Sequence, residues 1–271
     1  MSKGLLFDAT KCIGCGICAE ACRDANGLPR TEGTELSESR YTVVQKIDVG
    51  GGETRNVRRL CMHCLHPTCE SVCPVGALHR TDAGPVVYEE DRCIGCRYCM
   101  MACPYGVPRY EWHSVSPRVR KCFLCAQRLE RGEPTACAQA CPMGATIFGE
   151  RSDLLQEAEK RLRDDRDRYV PLVFGRDDGG GTSVLMLSDV PFATLGLPTN
   201  LPNHPMGDFT EEVLSKLPNV VVVGGSLLAG LYWIIDRRMK RMDDMAGAAP
   251  EPQLEPVRAD GRSRDGRGRR R

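Results

Sequence analysis

At 271 residues the chain has room for one or two domains, but it is only 41% hydrophobic and 6% aromatic, which excludes a large apolar core as its main organiser. With 37 basic and 36 acidic side chains its formal net charge is +1, so no global field favours nucleic acid or a strongly acidic substrate. Its 16 cysteines all lie between Cys12 and Cys141.

The residues ahead of Cys12 include no long apolar stretch and no twin arginine, so no signal peptide is expected there. The first cysteine block is Cys12-x2-Cys15-x2-Cys18-x3-Cys22. The β-branched run Tyr41 to Ile47, the turn Gly50-Gly51-Gly52 and a second strand near Asn56 and Val57 predict an insertion hairpin. The second block stretches one gap: Cys61-x2-Cys64-x4-Cys69-x3-Cys73-Pro74. A short strand over Pro85 to Tyr88 leads into the third, Cys93-x2-Cys96-x2-Cys99-x3-Cys103-Pro104. The fourth block is Cys122-x2-Cys125, eleven residues, then Cys137-x3-Cys141-Pro142.

After the last block, Ser152 is placed to N-cap a helix through Leu154, Leu155, Ala158 and Leu162, which predicts a packing helix with one apolar stripe. Val170 to Phe174 and Ser183 to Leu187 flank Gly179-Gly180-Gly181 and predict a hairpin. From Leu217 to Ile235 there are 19 residues without a charge, ending near Tyr232 and Trp233. As a helix this run covers about 28 Å, close to a bilayer core of about 30 Å. Arg237, Arg238, Lys240 and Arg241 form a basic collar behind it, so positive charge places the tail on the cytoplasmic side and the cysteine domain on the other. Beyond Pro250, Pro252 and Pro256, seven arginines from Arg258 to Arg271 among Gly, Asp and Ser read as a disordered tail.

Cysteines at every third residue of a tight loop point three thiolates at three corners of a cubane. The fourth cysteine begins a helix heading away and, in two-cluster ferredoxins, ligates the other cluster. Sixteen cysteines in four such motifs therefore predict four [4Fe–4S] clusters. Zinc favours separated Cys-x2-Cys pairs, and cysteines three apart in one loop pair badly as disulfides, so both alternatives fit poorly. Spacing does not say which motifs pair.

The four blocks resemble those of the four-cluster iron–sulfur subunits of molybdopterin oxidoreductases and of some membrane-bound hydrogenases. That resemblance implies an α+β fold of two pseudo-symmetric bacterial-type ferredoxin modules with hairpin insertions and one C-terminal transmembrane helix. It implies that the inner two motifs form one module and the outer two the other. One cluster then takes Cys12, Cys15, Cys18 and Cys141, and its neighbour Cys122, Cys125, Cys137 and Cys22. The inner module holds one cluster on Cys61, Cys64, Cys69 and Cys103 and another on Cys93, Cys96, Cys99 and Cys73. Cys22 is followed by Arg23 where the other three blocks have proline, a departure expected to alter the local helix start. The segments Gly180-Gly181-Thr182, Val184 to Leu187, Val190-Pro191-Phe192 and Leu195-Gly196-Leu197-Pro198 are similar to hydrogenase-associated members.

The expected organisation is a four-cluster core over 1–149, with an outer module of 1–35 and 115–149 and an inner module of 55–114. A packing helix, hairpin and linker follow over 150–216, then a transmembrane helix over 217–236 and a basic disordered tail over 237–271. No glycine-rich phosphate loop or Ser-His-Asp set marks a substrate site, so the expected role is electron transfer without catalysis. His63 and His66 lie inside the second block, where a role around a cluster is conceivable, but a solvated or structural role is the simpler reading. Lys121 and Arg97, next to ligands, are placed to raise a cluster potential locally, but solvated charges are the simpler expectation.

The resemblance implies two partners, a catalytic oxidoreductase subunit and a cytochrome b or other quinone-reactive membrane subunit. Among catalytic partners a nickel–iron hydrogenase comes first, formate dehydrogenase second and other molybdopterin enzymes third. It also implies export of the folded protein alongside a partner bearing a twin-arginine signal, which places the cluster domain in the periplasm. A free-standing polyferredoxin is the alternative of another class. A redox sensor that binds nucleic acid through the arginine tail is disfavoured.

Overall fold

The structure is a computed structural model and describes residues 2–115 and 117–247. Its strands are β1 (Lys3–Asp8), β2 (Val43–Gly50), β3 (Glu53–Arg59), β4 (Leu78–Arg80), β5 (Val86–Tyr88), β6 (Arg109–Tyr110), β7 (Val119–Arg120), β8 (Thr146–Glu150) and β9 (Val184–Leu187). Its helices are α1 (Ile17–Ala25), α2 (Thr68–Ser71), α3 (Tyr98–Ala102), α4 (Ala126–Glu130), α5 (Ala136–Gln139), α6 (Arg151–Asp164) and α7 (Gly207–Gly247). The chain divides into two units, 1–213 and 214–271.

In the first unit the only sheet of more than two strands among the described residues has the order β8-β1-β9. β1 pairs antiparallel with β8 and parallel with β9, so the start of the chain is closed by segments about 140 and 180 residues further on. Side-chain alternation along β1 explains the layering. Leu5 and Phe7 point into a core with Val57, Leu60, Met62, Leu124, Phe174 and Phe192. Leu6 points the other way, onto Leu154 and Ala158 of α6 with Tyr169, Val173, Leu185 and Leu187. Beneath this sits Asp8, fully buried, which accepts from Arg161 Nη1 at 3.0 Å, Tyr169 OH at 2.9 Å and Thr10 Oγ1 at 2.7 Å. Removing one partner of so buried a charge leaves it uncompensated, so this pair fixes α6 on the sheet.

Each of the middle cysteine blocks is followed by short strands. β4 and β5 close the loop between the second and third blocks, and β6 and β7 the loop between the third and fourth. β2 and β3 form the predicted insertion hairpin, with a register shift between Asp48 and Gly50.

Several expectations are corrected. Ser152 does not cap α6: the helix begins at Arg151 with Glu150 in the cap position, and Ser152 Oγ bonds Asp153 instead. The arm Val170 to Phe174 is not a strand. It runs beside β9 through a single antiparallel bridge, Phe174 to Met186, and Pro171 inside it has no N–H to extend a ladder. The fourth cysteine of each block does not start a helix. The helix begins just before the third cysteine and ends before the fourth, and at Cys103 the following proline holds the backbone out of the α region at φ −73°, ψ 113°. Cys22, followed by Arg23, is the exception: α1 runs through it to Ala25.

The second unit contains most of α7, and within Ser215–Met245 its most apolar 18 residues have a mean hydropathy of 1.6 and none of them is buried. Residues 237–247, expected in a disordered tail, continue this helix, since nothing between Asp236 and Gly247 breaks it. The arginines from Arg258 onward lie outside the described residues.

A Cβ at Gly4 on β1 would lie 2.2 Å from the Ser183 carbonyl oxygen, which the backbone cannot move away from without parting β1 from β9. Gly4→Ala is expected to destabilise the first unit by about 1–3 kcal/mol, the range for overpacking a close contact, read as a lowered denaturant midpoint.

Candidate metal-cluster site

All sixteen cysteines are free thiols, and all but Cys22, which lies inside α1, are on loops or the first turn of a short helix. In each block the residue before the second cysteine is left-handed: Gly14 at φ 74°, His63 at 48°, Gly95 at 72° and Leu124 at 51°. That turn reverses the chain and gathers successive backbone N–H groups on its concave side, a concavity suited to anions. The N–H groups find sulfur: Gly95 N donates to Cys93 Sγ at 3.4 Å, Leu124 N to Cys122 Sγ at 3.4 Å and Ala77 N to Cys73 Sγ at 3.2 Å. Glycine at two of these positions was legible in the sequence. That His63 and Leu124 adopt the same conformation was not, because a non-glycine residue enters this region only where tertiary packing holds it.

The loops bring thiols from distant blocks together. Cys12, Cys15, Cys18 and Cys141 line one cavity, with Phe7, Val44 and Thr146. Cys61, Cys64, Cys69 and Cys103 line another. Among the described residues no three His, Cys, Asp or Glu side chains converge on a point as for a single metal ion. The thiols instead stand around the walls of these cavities.

The remaining eight cysteines fall into two further groups by mutual influence. Burial pushes the Cys22 thiol up to about 12, with Cys137 and Cys125 adding to the rise. Burial likewise drives Cys122 well above the ordinary thiol range, with Cys22, Cys137 and Cys125 among its neighbours. Cys99 is raised to about 11 by burial and then by Cys93, Cys73 and Cys96. Cys137 alone moves the other way. Burial pushes it up, but the charge and hydrogen bonding of Arg58, helped by Thr135, outweigh that and hold it below the ordinary range.

Arg58 is a residue the sequence reading missed. It lies on β3 with 1% exposure and donates from Nε to Thr42 Oγ1 at 3.0 Å and from Nη1 to Thr146 Oγ1 at 3.1 Å. The expectation of a solvated Lys121 is corrected: it is 2% exposed, and its Nζ donates to the carbonyls of Val86 and of Cys122, the latter at 3.1 Å. Arg97 is exposed as expected, with its guanidinium over the Tyr110 and Trp112 rings. His63 is fully buried and structural. Its Nδ1 accepts from Val86 N at 2.9 Å, and burial together with Lys121 and Arg80 keeps it neutral. His66 is exposed.

The extension beyond the fourth block seats itself on the second. Leu65 N donates to Gly181 O at 2.9 Å, Ser183 N to His63 O at 2.8 Å and Val184 N to Met62 O at 3.1 Å. Gly181, at φ 87°, has no room for a Cβ, which would meet Arg176 O at 2.8 Å. Further on, Arg59 donates to the carbonyls of Leu195 and Gly196, while Phe192, Leu195 and Leu197 enter the core. The segments that carry the hydrogenase-type resemblance thus pack against the second cysteine loop and the insertion hairpin.

Backbone donors aimed at sulfur, cavities walled by four thiols and buried cations without carboxylates suit anionic, metal-bound sulfur. Known proteins agree. Residues 54–151 match the model of a 4Fe-4S dicluster domain, and residues 11–77 match a second model with the same description. The protein is 35% identical to the hydrogenase-2 operon protein HybA of Escherichia coli O157:H7, over 88% of its own length and 85% of that protein. It is 33% identical to the iron–sulfur subunit of the nitrate-inducible formate dehydrogenase of Escherichia coli K12, over 71% of each sequence. It is 38% identical to a subunit of the anaerobic dimethyl sulfoxide reductase of the same strain, over 56% of its own length and 75% of that subunit.

Thiolate is the reactive form of cysteine, so exposure and pKa set alkylation rates. In the cluster-free protein iodoacetamide is expected to label the exposed Cys15 and Cys96 first and Cys122 last, with the Cys122 rate still climbing above pH 9. Peptide mass mapping over a time course reads the order.

Proposed function

We propose, from the premise that the chain belongs to the family of the hydrogenase-2 operon protein HybA, that it carries electrons between a nickel–iron hydrogenase and a membrane quinone pathway. Its iron–sulfur clusters would number four. One would sit on Cys12, Cys15, Cys18 and Cys141, the next on Cys22, Cys122, Cys125 and Cys137, the third on Cys61, Cys64, Cys69 and Cys103, and the fourth on Cys73, Cys93, Cys96 and Cys99. Each supplies a one-electron carrier whose potential is set by burial, nearby charge and hydrogen bonds to sulfur.

The observation that carries this reading is the row the four sets make. Cys12 and Cys18 pack in one cluster with Cys137, Cys61 with Cys22 and Cys122, and Cys69 with Cys99, which supports a row in which each set abuts the next. The two ends of the row also carry exposed apolar side chains. Ile13, Ile17 and Met143 surround the first set, and Ile94, Tyr98, Met101 and Trp112 the last. These are the positions at which a catalytic subunit and a quinone-reactive membrane subunit would dock. Nothing in this arrangement calls for a substrate site on the chain itself.

The charge-free run Leu217–Ile235, inside a helical stretch whose most apolar 18 residues are unburied, supports a membrane anchor. The basic collar Arg237, Arg238, Lys240 and Arg241 behind it supports a cytoplasmic C-terminus and a periplasmic cluster domain. A partner of the molybdopterin class is the second reading, favoured by the likeness to the formate dehydrogenase subunit.

Purification from detergent-solubilised membranes through a tag after Arg271 should bring down a nickel–iron large subunit, with about sixteen irons on this chain for four cubanes. Recovery of a molybdopterin subunit instead selects the second reading. In right-side-out spheroplasts, added protease should digest the cluster domain. Protection there would reverse the orientation.

A further inference from the structure

The set Cys22, Cys122, Cys125 and Cys137 is the most deeply placed of the four, with three buried members where each other set has at most one. Reduction adds a negative charge to an already anionic cluster, and burial penalises that charge. On burial alone this site would be the hardest of the row to reduce and would break the relay in its middle. It is also the set approached by both buried cations. Arg58 stands between it and the first set: its Nη1 donates to Thr146, which lines the cavity of Cys12, Cys15, Cys18 and Cys141, and the sulfurs of Cys137, Cys18 and Cys122 act on its charge. Lys121 is bonded to the Cys122 carbonyl and also lines the cavity of Cys61, Cys64, Cys69 and Cys103. Both side chains are held by neutral acceptors, Thr42 and Thr146 for one and two carbonyls for the other. A buried cation held in this way needs negative charge close by, and the ligated sulfurs supply it.

We propose that Arg58 and Lys121 are fixed buried cations that bracket the cluster on Cys22, Cys122, Cys125 and Cys137 and raise its reduction potential, levelling the relay at its deepest point. Arg58 is a positioning charge and not a ligand, and so is Lys121. The inference rests on the four-cluster reading above.

The test is an anaerobic dithionite titration, followed by electron paramagnetic resonance, of the full-length protein in its membrane complex. The signal of the bracketed cluster is assigned by its change in Cys125→Ser. Arg58→Met is expected to shift that cluster's oxidised-to-reduced ratio at fixed potential about tenfold, a fall of about 59 mV for one electron. The cluster on Cys73, Cys93, Cys96 and Cys99 stays where it was. Arg58→Lys restores most of the shift, which a purely structural role would not do, and Lys121→Met lowers the same midpoint independently. An unchanged midpoint in iron-replete Arg58→Met overturns the proposal, as does an Arg58→Lys midpoint as low as that of Arg58→Met. If Arg58→Met loses iron, Lys121→Met decides, and an unchanged midpoint there overturns it. A wild-type protein holding fewer than four clusters overturns the underlying reading instead, which iron analysis detects before any titration.

Discussion

A protein with so little apolar mass has to be held together through its cysteine loops, and everything else in the first unit is arranged around making those sulfurs tolerable in an interior. Burial drives most of the thiols upward, which means that as thiolates they would be costly. The fold answers with backbone N–H groups turned toward sulfur, left-handed residues that create the concavity, and two cations taken fully out of water. Bound iron completes the balance by carrying positive charge into the same space.

The sheet has a supporting task. By pairing β1 with both β8 and β9, it brings the first residues beside the fourth block and the extension beyond it. Cys12 and Cys141 can then share one cavity although they belong to opposite ends of the cysteine region. The extension is part of this support: Gly181, Thr182 and Ser183 lie against the second loop, and Arg151 reaches from the start of α6 to the Thr182 carbonyl at 2.7 Å. The two larger hydrophobic clusters lie on either face of β1, and two smaller ones surround Cys99 and Cys122.

The electrostatics follow from depth. Near the surface, charges such as Arg97 are shared with water and with the rings of Tyr110 and Trp112. In the interior, Arg58 and Lys121 have no water to share, so their fields act on the sulfurs nearest them at low effective dielectric. Cys137 is lowered where its buried neighbours are raised, and Arg58 is the reason.

By itself the sequence determined the cysteine chemistry, the insertion hairpin and the long apolar helix, because each is written in local spacing or in an unbroken run of residue type. Ligand spacing is a property of one loop, and a charge-free run of 19 residues needs no partner to be recognised. Tertiary structure alone decided which distant thiols stand together, that β1 exists and pairs with both β8 and β9, and that Lys121 and Arg58 are interior. A lysine before a cysteine and an arginine in a polar strand look like surface residues in the sequence. They are buried because segments distant in sequence, Thr146 over Arg58 and Val86 over Lys121, close over them and offer oxygen acceptors. Long-range closure of that kind leaves no local pattern, and the deepest part of the site depends on it.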